Sequence, residues 1–339
     1  MKKILLLFTV FMSVISAFAD DVYIDGIYYN VRIDGVYYNL DKMEKMAEVT
    51  NNGKRDATEE VAIPESNSYS GGIVIPSSVI YDGETYTVTR LGKRAFYKCP
   101  NLTSVEIPNS VTEVEGWMFF GCSNLHSVKL PNSLKRIGDS MFDECSSLAS
   151  IDIPESVEDI GEQAFRNCSS LSCISIPNSV KYIESAAFMG CTELKSVNIS
   201  NSVKLIGDLA FKNCSKLTSV AIGEGMATLA DQAFWGCNKL ESVTVLATTP
   251  PEFEWSNEAF SYYGTLHVKK GCKEAYSNAP YWNNFNIVED ADAPGSSAIE
   301  DIACDNPARV SGIYDLQGRK LTSAPEKGIY IKDGRKMVR

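Results

Sequence analysis

Seven cysteines recur at one spacing: Cys99, Cys122, Cys145, Cys168, Cys191, Cys214 and Cys237, each 23 positions after the last. A thiol can close a disulfide, ligate a metal or act as a nucleophile, so a regular column of them raises the question of chemistry first. Zinc sites use close pairs such as C-x-x-C together with histidines. The chain has only two histidines, His126 and His267, and no such pair. A disulfide needs Cβ atoms ~3.8 Å apart, whereas equivalent positions on stacked strands lie ~4.8 Å apart. Cysteine is also among the residue types most often fully buried, behaving as a small hydrophobe. The spacing therefore favours a column of buried thiols, with disulfide use, metal binding or catalysis as the alternatives. Cys173, Cys272 and Cys304 stand outside the column, and the sequence leaves their redox state undecided.

No nucleophile elbow, P-loop, H-E-x-x-H or dinucleotide-binding glycine pattern occurs. With two distant histidines the commonest general base is almost missing. Carboxylates are plentiful; a glycosidase-like pair is one reading of them, a solvated face the other. The sequence points away from an enzyme and calls for no metal or cofactor. The formal charge is −11, and there is no basic run, which argues against binding nucleic acid.

Aligned on the cysteines, residues 95–245 read A-F-x-x-C-x-x-L-x-S-V-x-I-P-x-S-V-x-x-I-G-x-x. The phenylalanine column, Phe96, Phe119, Phe142, Phe165, Phe188, Phe211 and Phe234, is unbroken. So is the leucine column from Leu102 to Leu240. A fixed period of this length is the signature of a repeat architecture. In "LTSVEIP" (102–108) the alternation puts Val105 and Ile107 on one side of a strand and Ser104 and Glu106 on the other. Proline at 108, 131, 154 and 177 ends the strand, having no N–H to donate. "SVTEVEGWMFFGC" then turns the chain back, with Val111, Val114 and Phe119 inward.

A lone unit of this kind cannot fold. It offers about seven apolar side chains, worth ~1.5–3 kcal/mol each when fully buried. Fixing its backbone costs ~1–2 kcal/mol per residue. Neighbours that cover both faces of every unit tip the balance, giving a quasi-one-dimensional stack. The charge columns agree: Glu106, Lys129 and Asp152 alternate in sign, as do Glu113, then Lys135 and Arg136, then Glu158 and Asp159, then Lys181. Such neighbours help set the register.

The outward strand positions hold the candidate site. One column is small and nearly constant: Ser104, Ser127, Ser150, Cys173, Ser196, Ser219 and Ser242. Beside it Glu106, Lys129, Asp152, Ser175, Asn198, Ala221 and Thr244 change from copy to copy, and so does the column containing His126 and Lys195. A fixed frame with variable columns is how a solenoid presents a binding face; drift at unconstrained exposed positions is the alternative. Glu106, His126, Lys129, Asp152, Lys195 and Asn198 are the candidate contact residues.

The frame L-x-x-V-x-I matches the leucine-rich-repeat pattern L-x-x-L-x-L. The 23-residue unit with I-P-x-S-V, I-G and A-F-x-x-C resembles the BspA-like (treponemal-type) bacterial leucine-rich repeats, over roughly residues 60–290. The resemblance implies a β-rich leucine-rich-repeat solenoid with a parallel β ladder and a right-handed coil, closed by a β cap at the N-terminal end and a further cap at the C-terminal end, with a short β-hairpin tail. It also implies a surface or secreted binding protein, since some relatives are adhesins. The expected partner is then a protein ligand on host or neighbouring cells, met by a monomer. A carbohydrate-binding module is the alternative, through the tyrosine-rich ends (Tyr28, Tyr29, Tyr37, Tyr38, and Tyr262, Tyr263, Tyr281).

The expected organisation along the chain follows. Residues 1–19, with Lys2, Lys3, an apolar run and Ala17-Phe18-Ala19, read as a secretory signal peptide. Losing it removes two lysines and no acid, taking the charge from −11 to −13. No other stretch suits a transmembrane segment. Residues 20–72 read as an N-terminal β cap. There "YIDGIYYNVRIDGVYYNL" carries two Asp-Gly turns, whose hairpins would cover the open edge of the first repeat strand. The leucine-rich repeats occupy 73–245, the first with a nine-residue insertion whose Asp82-Gly83 signals a hairpin. Residues 246–289 read as a degraded repeat, "AFSYYGTL", and a closing segment in which Tyr276, Trp282 and Phe285 plug the last rung. Residues 290–308 are linker-like in composition. The tail, 309–339, holds two strand–turn–strand patterns around Gln317-Gly318 and Asp333-Gly334. It resembles short C-terminal motifs of surface and secreted proteins in Bacteroidetes-type bacteria, some of which direct type IX export. A sorting signal and a plain β-module are the two readings. Either way the expected location is the cell surface, the outer membrane or the extracellular space.

Overall fold

The computed structural model describes residues 69–254 and 259–290 throughout, strands and a turn between 22 and 50, and four short strands between 313 and 338. The expected signal peptide, most of the linker with Cys304, and the tail's turns lie outside the described residues, as do the side chains of residues 22–33 and of the tail strands. The chain winds a β-solenoid of about nine coils, each coil having three sides.

The first side carries the predicted strands. Gly71–Val74, Leu102–Glu106 and Ser127–Lys129 pair in parallel. Ser196–Ile199, Ser219–Ile222, Ser242–Val245, Thr265–Lys269 and Asn286–Asp290 form a second parallel stretch. The register steps by one repeat, with Ser104 beside Ser127 and Ser196 beside Ser219. Between the stretches the ladder thins to the single bridge Ser175–Asn198. There the coils are tied one position earlier, by Ser172 N–H to the Ala149 carbonyl (3.1 Å) and Lys195 N–H to the Ser172 carbonyl (3.3 Å). The second side is a continuous parallel ladder of two-residue strands from Arg136–Ile137 to Glu252–Phe253.

The third side is built of turns. Met141 N–H bonds the Gly138 carbonyl and Cys145 N–H bonds the Phe142 carbonyl, and the next three coils, through Cys214, repeat both bonds. The third residue of each turn has positive φ, the geometry of a type II turn. One such column is Lys98, Gly121, Glu144, Asn167, Gly190, Asn213 and Gly236; the other is Arg94, Trp117, Ser140, Gln163, Ala186, Leu209 and Gln232. The first is rich in Gly and Asn, which tolerate this conformation. The second is not. The turns free alternate N–H groups to point along the stack. Phe119 N–H reaches the Met141 carbonyl at 2.8 Å and Phe165 N–H the Ala187 carbonyl at 2.7 Å.

Inside, the phenylalanine rings stack along the axis. Centroids from Phe96 to Phe234, and on to Phe260 of the shortened copy, are 5.1–5.4 Å apart, with planes within 2–13° of parallel. Spacing wider than ring contact distance at near-zero tilt is offset stacking, worth ~0.5–1.5 kcal/mol per pair beyond the area buried. Where proline 177 gives way to Ser200, the serine Oγ donates to the Pro177 carbonyl (3.1 Å). At Gly223 a Cβ would meet Asn201 backbone atoms at 2.6 Å, so glycine is required there by close approach.

The ends correct one expectation. The N-terminal hairpins do not cover the first repeat strand. They extend the second side, where Met46–Thr50 runs parallel to Glu84–Leu91, which in turn pairs with Glu113–Val114. The reason lies in the insertion: its Asp82-Gly83 hairpin lengthens the first coil's second-side strand, offering the cap a longer edge there. Gly71–Val74 pairs only with Leu102–Glu106 among the described residues. The stack is instead closed by Tyr69, whose ring packs on Phe96 (4.8 Å) while its hydroxyl donates to the Thr50 carbonyl (2.7 Å). At the far end Phe285 meets Phe260 edge-on (5.1 Å). Tyr276 and Trp282 donate to the Ala247 (2.8 Å) and Pro251 (2.9 Å) carbonyls. The tail strands Ile313–Tyr314, Lys320–Leu321, Ile329–Lys332 and Arg335–Val338 form an antiparallel sheet. No helix among the described residues is long and apolar enough to cross a membrane.

Phe165 stacks in near-parallel fashion on both Phe142 and Phe188, whereas Phe96 has a parallel ring on one side and only the tilted Tyr69 ring (51°) on the other. Phe165→Ala should cost ~3–5 kcal/mol in urea unfolding, and Phe96→Ala measurably less. Equal costs would contradict axial stacking as the source of stability.

Candidate binding surface

The thiol column lies in the dry interior. Cys122, Cys145, Cys168, Cys191, Cys214 and Cys237 are all 0% exposed and unbridged. Each thiol donates to the carbonyl of the phenylalanine 26 residues back, in the preceding coil, at 3.0–3.3 Å. The sequence reading treated cysteine only as a small hydrophobe and missed this donor role. Its signal was there: alanine or valine would fill the space, yet neither occurs in the column. Burial, the leading cause, holds the thiols of Cys122, Cys145, Cys168, Cys191 and Cys214 well above the usual cysteine range. A protonated, enclosed thiol is neither a nucleophile nor a ligand. Among the described residues no group of three or more His, Cys, Asp or Glu is placed to hold a metal.

The candidate contact residues all reach the first side, but not equally. Lys129 pairs with Glu106, its neighbour one coil back. Asp152 and Lys195 are exposed, and Asn198 is half-buried. His126 is exposed, with Nδ1 3.3 Å from the Asn124 carbonyl, and shares no network with the others. Further along the same column Ala221 and Thr244 are buried. The accessible part of this face therefore runs from Glu106 to Asn198. The second side shows the predicted charge alternation as ion pairs: Arg136–Asp159 (2.8 Å), Lys181–Glu158 (2.6 Å) and the Arg90–Glu113 pair. Exposed pairs of this kind contribute little stability and chiefly fix register.

Two features escaped the sequence reading. On the second side a shallow open depression is lined by Tyr182, Lys204, Leu205, Thr228, Glu252 and Phe253. Tyr182, 44% exposed, stands in the column that holds Arg136 and Asp159 in earlier coils. Tyr281 meets Phe253 edge-on at 5.5 Å beside it. Of the other tyrosines considered for sugars, Tyr262 is exposed, Tyr263 packs on Phe285 (5.0 Å), and Tyr38 is buried. The side chains of Tyr28, Tyr29 and Tyr37 lie outside the described residues. On the third side Asp143, wholly buried, is held by Arg166 (2.6 Å). Burial raises its pKa and the Arg166 contact opposes the rise.

The profile of the BspA type Leucine rich repeat region matches residues 89–191 and 158–274, in six copies. Among solved structures, a leucine-rich repeat protein from Bacteroides ovatus ATCC 8483 is 25% identical over 71% of each chain, with a TM-score of 0.45. The T. pallidum leucine-rich repeat protein TpLRR is 27% identical over 63% of this chain and 85% of its own, with a TM-score of 0.41. No curated protein matches the chain.

Alkylation of the native protein at pH 8, mapped by mass spectrometry, should leave Cys122 through Cys237 of the column unmodified. Cys173, which is partly exposed, should react. Labelling of the column without denaturant would contradict the dry interior.

Proposed function

We propose that this chain, which belongs to the BspA-type leucine-rich repeat family, is a non-enzymatic binding protein that engages a protein partner through its first side. The observation that carries the reading is the contrast between adjacent columns. The small-residue column, hydroxyl at every copy but Cys173, is nearly constant and set in register, Ser104 beside Ser127 and Ser219 beside Ser242. The positions next to it present Glu106, Lys129, Asp152 and Asn198, with His126 and Lys195 flanking. Constant residues hold the frame, and the varied ones give the face a pattern of charge that selects partners more than it adds affinity.

The chain works outside the cytoplasm. Residues 1–19 direct export, and the protein acts at the cell surface or beyond it in an adhesin-like role, as a monomer, on a protein of a host or neighbouring cell. The tail, 309–339, assists surface delivery. Surface labelling of cells expressing the chain with and without residues 309–339 tests this. Equal labelling would remove the tail from delivery.

A second reading has its own observation. The depression beside Tyr182 combines an exposed aromatic ring with Lys204 and Glu252, the mixture of stacking surface and polar groups that suits a sugar ring. A glycan ligand at that site would be lost in Tyr182→Ala.

A binding screen of the exported chain against matrix proteins and glycans separates the two. For a protein ligand, the combined Lys129→Ala, Asp152→Ala and Lys195→Ala variant should weaken affinity about tenfold or more, or ~1.4 kcal/mol. Affinity unchanged by the triple substitution would take the site off the first side. A glycan ligand lost only in Tyr182→Ala would favour the second reading.

A further inference from the structure

The third side of the first two regular coils holds an aromatic cluster with cations mounted on it. Tyr97 and Phe120 occupy the same position in successive coils and stack at 5.1 Å, 12° from parallel. Trp117 lies against Phe120 at 5.3 Å. The Arg94 guanidinium sits 5.2 Å from the Tyr97 ring centre and 5.5 Å from that of Trp117. The Lys98 ammonium sits 5.4 Å from Tyr97 and 5.9 Å from Phe120. Room for the lysine comes from the next coil, where Gly121 stands at positive φ. A Cβ there would come within 3.1 Å of Lys98 Cγ.

These two cations differ from most others along the rod. Lys129, Arg136, Arg166, Lys181 and Lys216 each have a carboxylate one coil away. None of the ion pairs among the described residues includes Arg94 or Lys98. The contrast is sharpest within one column. Tyr97 and Phe120 are followed by Asp143 and Arg166, and there the cation meets its acid at 2.6 Å. Arg94 Nε is moreover buried and without an acceptor among the described residues. A guanidinium stacked on rings keeps its N–H edge in plane, open to bidentate contact with a carboxylate.

We propose that Arg94 and Lys98, mounted on Tyr97, Trp117 and Phe120, form a binding site for the carboxylates of an acidic peptide segment on a protein partner. The argument for that occupant is charge complementarity: a cationic, aromatic patch on a chain whose formal charge is −11. The site deepens the protein-binding reading and rests on it, but lies on a different side of the rod from Lys129 and Asp152.

The test uses the full chain and fluorescein-labelled decaglutamate, read by anisotropy at low and moderate salt. Decaglutamine and a hyaluronan oligosaccharide serve as controls. Decaglutamate should bind more weakly as salt rises. The double variant Arg94→Gln with Lys98→Gln should lose about tenfold or more in affinity, as expected for charge-assisted contacts. Lys239→Gln with Lys270→Gln, which removes the same charge elsewhere, should leave affinity unchanged. Lys98→Gln alone, at an exposed position, guards against misfolding of the double variant, which thermal melting monitors; it should also weaken binding. No decaglutamate binding at low salt would overturn the proposal. So would equal binding of decaglutamine, equal losses in both double variants, or a preference for hyaluronan. The first-side triple variant separates the two readings. If it abolishes binding of a matrix protein while decaglutamate never binds, only the present proposal falls.

Discussion

Each coil of this protein is held by what it offers along the axis. The phenylalanine ring must lie over the ring before it, within 5.1–5.4 Å, and the cysteine thiol three residues later must find the preceding phenylalanine's carbonyl. Backbone N–H groups of the third side bond forward as the thiols bond back. A coil one residue longer or shorter on the third side would break all three contacts together. That constraint explains why the period does not drift, and why the one long insertion was accommodated as a hairpin on the edge of the first coil rather than within the stack.

The same geometry shapes the surface. A wall one residue thick faces the interior at alternate positions, so every outward side chain has its nearest neighbours one repeat away in sequence. Charge alternation becomes a ladder of ion pairs for this reason, and sites arise where two or three successive copies happen to agree. The cation–aromatic cluster is assembled from two coils, and the depression beside Tyr182 from the second-side strands Tyr182–Ile183 through Glu252–Phe253. Neither is visible in the consensus, because each is made of residues that depart from it.

Reading outward from single residues explains where the sequence was informative. Phe165, Cys168 and Leu171 announce the interior because their column mates are identical, and identity at a fixed period has few causes other than stacking. Glu106 and Lys129 announce adjacency through opposite sign and equal phase. The positive-φ residues were half legible. Gly121, Asn167, Gly190 and Asn213 carry the mark of a left-handed turn position, while Trp117, Leu209 and Gln232 adopt the same conformation with no such mark. In that second column the forward hydrogen bonds and the packed turn outweigh intrinsic preference.

The amino-acid order alone established the period, the composition of the interior, the place of most first-side strands and the aromatic plug, since each follows from which side chains must leave water together; in the copies at 148–153 and 171–176 the expected strand does not form. Folding in three dimensions settled matters that periodicity is blind to. It decided which side the N-terminal hairpins join, that the thiols donate hydrogen bonds, that the first side closes toward Ala221 and Thr244, and that Arg94 and Lys98 rest on rings instead of carboxylates. The physical reason is common to all four. Each depends on contacts between different coils or between a coil and a cap, and such contacts are fixed by the path of the chain in space.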